Sequence, residues 1–262
     1  MFMHILNKIL LSFIAVLTIT YQATGQYSAS NAHSHNDYEN DIPFRLAYDN
    51  HFGSIEADIW ALDGELYVAH YKNQIQPART LDSLYIQPVV RIFKQNGGKA
   101  WKDHPGTFQL LIDLKTPVQP TLAILIEKLK PFPDVFDPDV NPGAVRIVLS
   151  GNRPEPAEFS DYPGYIWFDG LLDRKYNDEE LKRVSLFSEN LRKFTAWNGK
   201  GDINDKEKFR IQGLIDSIHS MNNKIRFWNA PDNPNSWEIL MKMGVDYINT
   251  DHIPELSEYL KY

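Results

Sequence analysis

The chain has no cysteine, which excludes disulfides, thiolate nucleophiles and zinc sites built on sulfur. Any metal it holds is bound through oxygen or imidazole. Basic charge is also scarce, with 27 Lys and Arg against 34 Asp and Glu and a formal net charge of −7. Holding nucleic acid by phosphate neutralisation needs clustered Lys and Arg, so no nucleic-acid partner is expected. No internal repeat, charge run or low-complexity tract interrupts the sequence, and only one apolar run approaches the length of an export or membrane segment. What is present, 262 residues of which 43% are apolar and 13% aromatic, suffices for one large core.

The apolar run lies at the N-terminus, where Lys8 precedes Ile9 to Ile19 and Ala23-Thr24-Gly25 closes it with small residues. A run this short fits a cleaved secretory signal better than a spanning helix, which needs roughly 20 apolar residues. Residues 1–25 therefore read as a signal peptide cut near Gly25, leaving 26–262 as one exported domain, periplasmic or secreted.

From Gln26 onward short apolar runs alternate with amphipathic stretches, the pattern of repeated βα units around a parallel sheet. Eight strands are expected: Ser28 to Ala32, Ser54 to Trp60, Phe108 to Lys115, Arg146 to Ser150, Tyr165 to Asp169, Phe194 to Trp197, Ile225 to Trp228 and Tyr247 to Thr250. Between them Leu81 to Lys94, Thr121 to Leu129, Asp178 to Leu186, Lys206 to Met221 and Ser236 to Met243 carry apolar residues at helical spacing. Together these predict an α/β fold, a single-domain (β/α)8 TIM barrel. Pro131 to Pro142 reads as a surface loop. Leu66 to His70, after Asp63-Gly64, reads as a turn and strand that bring His70 back toward the second strand.

Active sites of such barrels lie at the C-terminal ends of the strands. Strand one ends in His33-Ser34-His35-Asn36-Asp37-Tyr38. In strand two, Glu56 and Asp58 are two apart and share a face, with Ile55, Ala57 and Ile59 on the other. Their mutual repulsion is costly inside a barrel unless a cation or protons compensate. Strand three repeats the device with Asp113 and Lys115. Three carboxylates with the Asn36 amide make a hard oxygen-donor set, suited to a divalent cation such as Ca2+ or Mg2+. Asp169 and Asn229 also end strands. Asp251, with Pro254 behind it, reads as the cap of the last helix, and His51, His104 and His219 read as ordinary surface residues.

The ordered set His35-Asn36, Glu56-x-Asp58, His70 and Asp113-x-Lys115, followed by Arg226-Phe227-Trp228 and Gly244-Val245-Asp246-Tyr247-Ile248-Asn249-Thr250-Asp251, resembles the phospholipase C-like phosphodiesterase superfamily. That superfamily includes glycerophosphodiester phosphodiesterases and phosphatidylinositol-specific phospholipases C. The resemblance implies an enzyme, a metal-dependent phosphoric diester hydrolase acting on a small-molecule or lipid head-group diester. It implies His35 and His70 as the acid-base pair and Lys115 as the group facing the phosphate. By the same resemblance Glu56, Asp58, Asp113 and Asn36 hold the cation and Trp228 walls the alcohol moiety; Asp169, from its place at a strand end, and His33 read as further substrate contacts. No arginine follows His33 or His35, where glycerophosphodiesterases have one, and Tyr71 follows His70 where Asp is usual. The His-x-His-Asn-Asp-Tyr start is more similar to the "altered inheritance of mitochondria"-like branch. No stable protein partner is indicated.

Two other classes fit part of the pattern. His33-x-His35 with Asp251 could open and close a metal-dependent amidohydrolase barrel, but no histidine follows the middle strands. A non-catalytic barrel binding a carbohydrate or lipid head group accounts for Trp167, Trp197 and Trp228, but has no use for two histidines beside three carboxylates.

Overall fold

The structure, a computed structural model, describes residues 27–261; the expected signal segment, residues 1–25, lies outside them. Among the described residues there are nine strands: β1 (Ala32–Ser34), β2 (Ser54–Leu62), β3 (Glu65–Val68), β4 (Gln109–Leu114), β5 (Arg146–Gly151), β6 (Ile166–Gly170), β7 (Val184–Asn190), β8 (Ile225–Trp228) and β9 (Ile248–Thr250). They run in the order β8-β7-β6-β5-β4-β2-β1-β9, and each of these neighbours is paired in parallel. A parallel bridge from Arg226 to Tyr247 joins the two ends, so the sheet closes into the expected barrel. Helices α1 (Arg45–Asp49), α2 (Gln87–Gln95), α3 (Val118–Leu129), α4 (Pro133–Phe136), α5 (Asp178–Leu181), α6 (Asp205–Ser220), α7 (Pro234–Lys242) and α8 (Ile253–Tyr259) fill the connections.

Two-residue alternation along the strands sets the layers. Ile55, Ala57, Ile59, Leu110, Ile112 and Leu114 face outward and pack into one core with Leu122, Leu125, Ile211 and Ile215 of the helices. Each such leucine or isoleucine contributes roughly 1.5–3 kcal/mol on burial. Inside the barrel a smaller cluster, Leu111, Val148, Leu186 and Tyr247 with Trp167 against it, plugs the lumen below the polar strand ends. Trp167 and Trp197 are thus packing residues; Trp197 is buried and its indole N–H donates to the carbonyls of Lys200 and Gly201.

Two strands differ from expectation. Ala29–Asn31 forms a 3-10 turn instead of strand one, because the Ser28 and Asn31 side chains bond the backbone there and compete with sheet pairing; the strand starts at Ala32. The sixth barrel strand is Val184–Asn190, not Phe194 to Trp197, and the helix expected over Asp178 to Leu186 ends after one turn at Leu181. Pairing of Leu186 and Phe187 with Asp169 and Gly170, and of Phe187 through Asn190 with β8, overrides the helical spacing.

The β2–β3 hairpin turns at Asp63-Gly64, both at positive φ (51° and 81°), the two-residue turn that matches strand twist. The returning chain is tied down where the Ala69 N–H donates to the Asp58 carbonyl at 3.2 Å. His70 is thereby delivered to the end of β2.

The segment after β1 is fixed by Asp37. Its buried carboxylate accepts from the Ser34 hydroxyl (2.8 Å), the Phe44 N–H (2.5 Å) and the Tyr85 hydroxyl (2.9 Å). Burial nevertheless pushes its pKa up to about 6. Asp37→Ala leaves three buried donors without an acceptor and is expected to cost about 2–4 kcal/mol, read as a fall in Tm. Because the folded pKa is raised, the stability tied to the Asp37 proton is complete below its ordinary 3.8 and is lost as pH rises through about 6. Asp37→Ala is expected to lose that part of the pH dependence; an unchanged Tm and pH profile refutes the role.

Candidate active site

Asp58 and Asp113 are paired neighbours in the β2–β4 register, and Glu56 lies two residues below on the same face. The three carboxylates each offer an oxygen within 4.8 Å of the others. They open into a cavity of about 1120 Å³ lined also by His35, Asn36, His70, Lys115, Asp169 and Trp228. Gly151 ends β5 against this group at a φ of +67°, and a Cβ there would lie 2.5 Å from Asp113 Oδ1 and 2.6 Å from the Leu114 carbonyl oxygen. Glycine is what lets β5 end so close to the carboxylate.

The repulsion is divided between two cations. Arg226 reaches from β8 to Glu56 Oε2 at 2.7 Å, while Lys115 Nζ lies 2.9 Å from Asp58 Oδ2 and 3.0 Å from Asp113 Oδ1. Burial alone would raise Glu56, but Arg226 and His33 hold it well below the usual carboxylate range. Asp58 goes the other way, pushed up to about 6 by burial and then by Glu56 and Asp113. Burial would lower Lys115, and Asp113 and Asp58 outweigh it to raise its pKa. Asp58 Oδ1 is buried and has no hydrogen-bond partner. An unpartnered carboxylate oxygen inside a hard-donor group fits a divalent cation, with Glu56 and Asp113 beside it and the Asn36 amide on the same cavity.

Two imidazoles face this group, each held at Nδ1. His35 Nδ1 lies 2.7 Å from Asp251 Oδ1. His70 Nδ1 lies 3.0 Å from Asp58 Oδ2 and 3.2 Å from the Tyr38 hydroxyl. Burial would lower the pKa of His35, but the Asp251 hydrogen bond and the charges of Glu56 and Asp251 outweigh it, and the net shift is upward. The Asp251 N–H in turn donates to Asp232 Oδ2 at 2.7 Å, an oxygen that also accepts from the Thr250 hydroxyl at 3.0 Å.

His33, expected on the substrate side, is fully buried and does not line the cavity. Its Nδ1 meets the Ser54 hydroxyl at 2.6 Å and its Nε2 meets Glu56 at 2.7 Å, with Arg226 against the same nitrogen. No ring nitrogen remains for a substrate. Burial and then Arg226 drive its pKa down to about 3. Asp169 is buried at the cavity wall; its Oδ2 accepts from Ser150 at 3.1 Å and its Oδ1 has no partner. Trp228 is 39% exposed at the rim. Asp251 does not cap α8, whose first turn has no side-chain cap; it holds His35 instead. Asp251 reads from the sequence only as a helix cap because its partner His35 is 216 residues away, and the contacts of Tyr38 and Asp232 with neighbouring elements leave no spacing signal. The one available signal was the position of Asp251 just past a strand.

Residues 22–157 match the AIM6-like phosphodiesterase domain, and residues 224–254 match the glycerophosphoryl diester phosphodiesterase family. Altered inheritance of mitochondria protein 6 of Eremothecium gossypii is 29% identical over 88% of this chain and 69% of its own length. Its homolog in Arthroderma benhamiae is 26% identical over 87% of this chain and 82% of its own. Among solved structures, a glycerophosphodiester phosphodiesterase from Agrobacterium tumefaciens aligns with a TM-score of 0.48 at 15% identity, over 88% of this chain and 96% of that one. These relatives correct the expectation of an exported, periplasmic or secreted protein, since they are fungal proteins named for the inheritance of mitochondria. A short apolar run behind one lysine records hydrophobicity and does not by itself specify an address. With more than half of its length matched by that family's domain, the chain belongs to the AIM6-like phosphodiesterases.

Proposed function

We propose that the chain hydrolyses phosphodiesters of small alcohols or lipid head groups, with His35 and His70 moving the protons and Glu56, Asp58, Asp113 and Asn36 holding a divalent cation, Ca2+ or Mg2+. The observation that carries this reading is the pairing of two carboxylate-braced imidazoles with three clustered carboxylates on one cavity. When bound, such a cation supplies a Lewis acid for a phosphoryl oxygen and offsets phosphate charge.

With Nδ1 of each ring engaged, Nε2 is the nitrogen left to exchange a proton with substrate. The upward shift of His35 favours its imidazolium, so it serves as the general acid and His70 as the general base. The attacking water or substrate hydroxyl gives its proton to His70 Nε2 as its oxygen bonds phosphorus. The ester P–O bond breaks, and the departing alkoxide takes the proton of His35 Nε2. A hydroxyl next to the ester yields a cyclic phosphate first, and water an open monoester. Lys115 stabilises the negative charge on the reacting phosphate. Trp228 covers the apolar part of the alcohol, and Asp169 faces its polar part.

Turnover of bis(para-nitrophenyl) phosphate is expected to stop with EDTA and return with Ca2+ or Mg2+; turnover that ignores the chelator removes the cation from the reading, and no turnover by the wild type removes the reading itself. His70→Ala and His35→Ala are each expected to lower kcat about 100-fold or more, with cation affinity by calorimetry unchanged. Unchanged turnover in either variant strips that histidine of its role. Because the His35 pKa is raised above 6.5 by Asp251, its acid form is lost only as pH rises past that higher value. Asp251→Asn is expected to move the alkaline limb of kcat to lower pH, and an unmoved limb assigns the acid elsewhere.

A further inference from the structure

Tyr38, the last residue of the His-Asn-Asp-Tyr run, is buried in the short turn Asp37–Glu39 that follows β1. Its hydroxyl lies 2.8 Å from Asp58 Oδ2, 2.9 Å from Asn36 Oδ1 and 3.2 Å from His70 Nδ1. One phenolic oxygen therefore meets side chains from β2, from the segment after β3 and from its own turn. Nothing in the proton transfers above uses it.

Proton counting decides what it does. A phenol has one proton to give and can accept in return. Asp58 Oδ2, as an ionised carboxylate oxygen, and Asn36 Oδ1 are acceptors, so the Tyr38 proton goes to them, with the carboxylate as the stronger acceptor. His70 Nδ1 then faces two acceptors, Asp58 Oδ2 at 3.0 Å and the phenolic oxygen at 3.2 Å. Only the tautomer with hydrogen on Nδ1 satisfies both, and it leaves the lone pair on Nε2. Tyr38 also divides the Asp58 carboxylate. Oδ2 takes Tyr38, His70 and Lys115, while Oδ1 takes none.

We infer that Tyr38 is a positioning residue that fixes the His70 tautomer and holds Asp58 by Oδ2, leaving Oδ1 without a hydrogen-bond partner. This rests on the phosphodiesterase reading for its consequence, though not for its geometry. The ring of Tyr38→Phe still fills the same space, and only the hydroxyl is lost. Loss of a partner that orients a ligand or a base typically costs 10–100-fold.

The test joins kinetics to a spectrum that needs no turnover. In histidine-15N-labelled wild type, the His70 signal, identified by its disappearance in His70→Gln, is expected to report the Nδ1–H tautomer. Tyr38→Phe is expected to mix the tautomers, to lower kcat on bis(para-nitrophenyl) phosphate about 10–100-fold and to leave KM within about twofold. The inference is overturned by an Nε2–H tautomer in the wild type, which is read even where Tyr38→Phe does not fold. It is equally overturned by a folded Tyr38→Phe whose tautomer and kcat match the wild type, or whose loss lies in KM alone. A wild type without turnover refutes the proposed function, while the two spectra still decide the part played by Tyr38.

Discussion

The site depends on holding three carboxylates together at the mouth of a closed barrel. Register sets Asp58 beside Asp113, and two-residue alternation sets Glu56 beneath them, so like charge is concentrated by the sheet itself. Two protein cations answer three anions there. Arg226 is committed to Glu56, and Lys115 is shared between the two aspartates. Glu56 and Asp58 shift in opposite directions because Arg226 and His33 outweigh burial at Glu56, whereas at Asp58 burial and then the charges of Glu56 and Asp113 outweigh Lys115. Each carboxylate oxygen spoken for by Arg226, His33, Tyr38, His70 or Lys115 also fixes the orientation of the one that is not.

Much of this was legible because strand geometry is periodic. Glu56-x-Asp58 and Asp113-x-Lys115 had to present paired side chains on one face whatever their neighbours, and they do. The hairpin that returns His70 was legible from Asp63-Gly64, since those residue types tolerate the positive φ the turn requires. The misplaced sixth strand shows the limit. Val184–Asn190 ends in Ser188, Glu189 and Asn190, polar residues facing the cavity mouth or flanking it, and these polar residues broke the apolar run by which a buried strand is read. The dyad of His35 with Asp251 and the triple contact of Tyr38 were beyond reach for another reason. The first joins residues 216 apart and the second joins one turn to β2 and to the segment after β3, separations along the chain that carry no pattern.

His33 and His35 put the same principle in one dipeptide step. They are two residues apart and side by side on the barrel wall, yet their pKa values move in opposite directions. Depth supplies part of the difference, since burial disfavours the charged ring at both and is complete only for His33. The partner supplies the rest. His33 Nε2 sits against Arg226 and must give its proton to Glu56, leaving Nδ1 to accept from the Ser54 hydroxyl, which itself accepts from Gln109. Its one ring proton is spent on the lumen network. His35, one pleat higher, meets a half-exposed carboxylate at Nδ1 and keeps Nε2 for the cavity. Identical side chains thus become a buried structural element and a cavity-facing imidazole through a rise of two residues, from β1 into the turn that follows it. At the strand ends an imidazole finds a carboxylate on one side and the open cavity on the other.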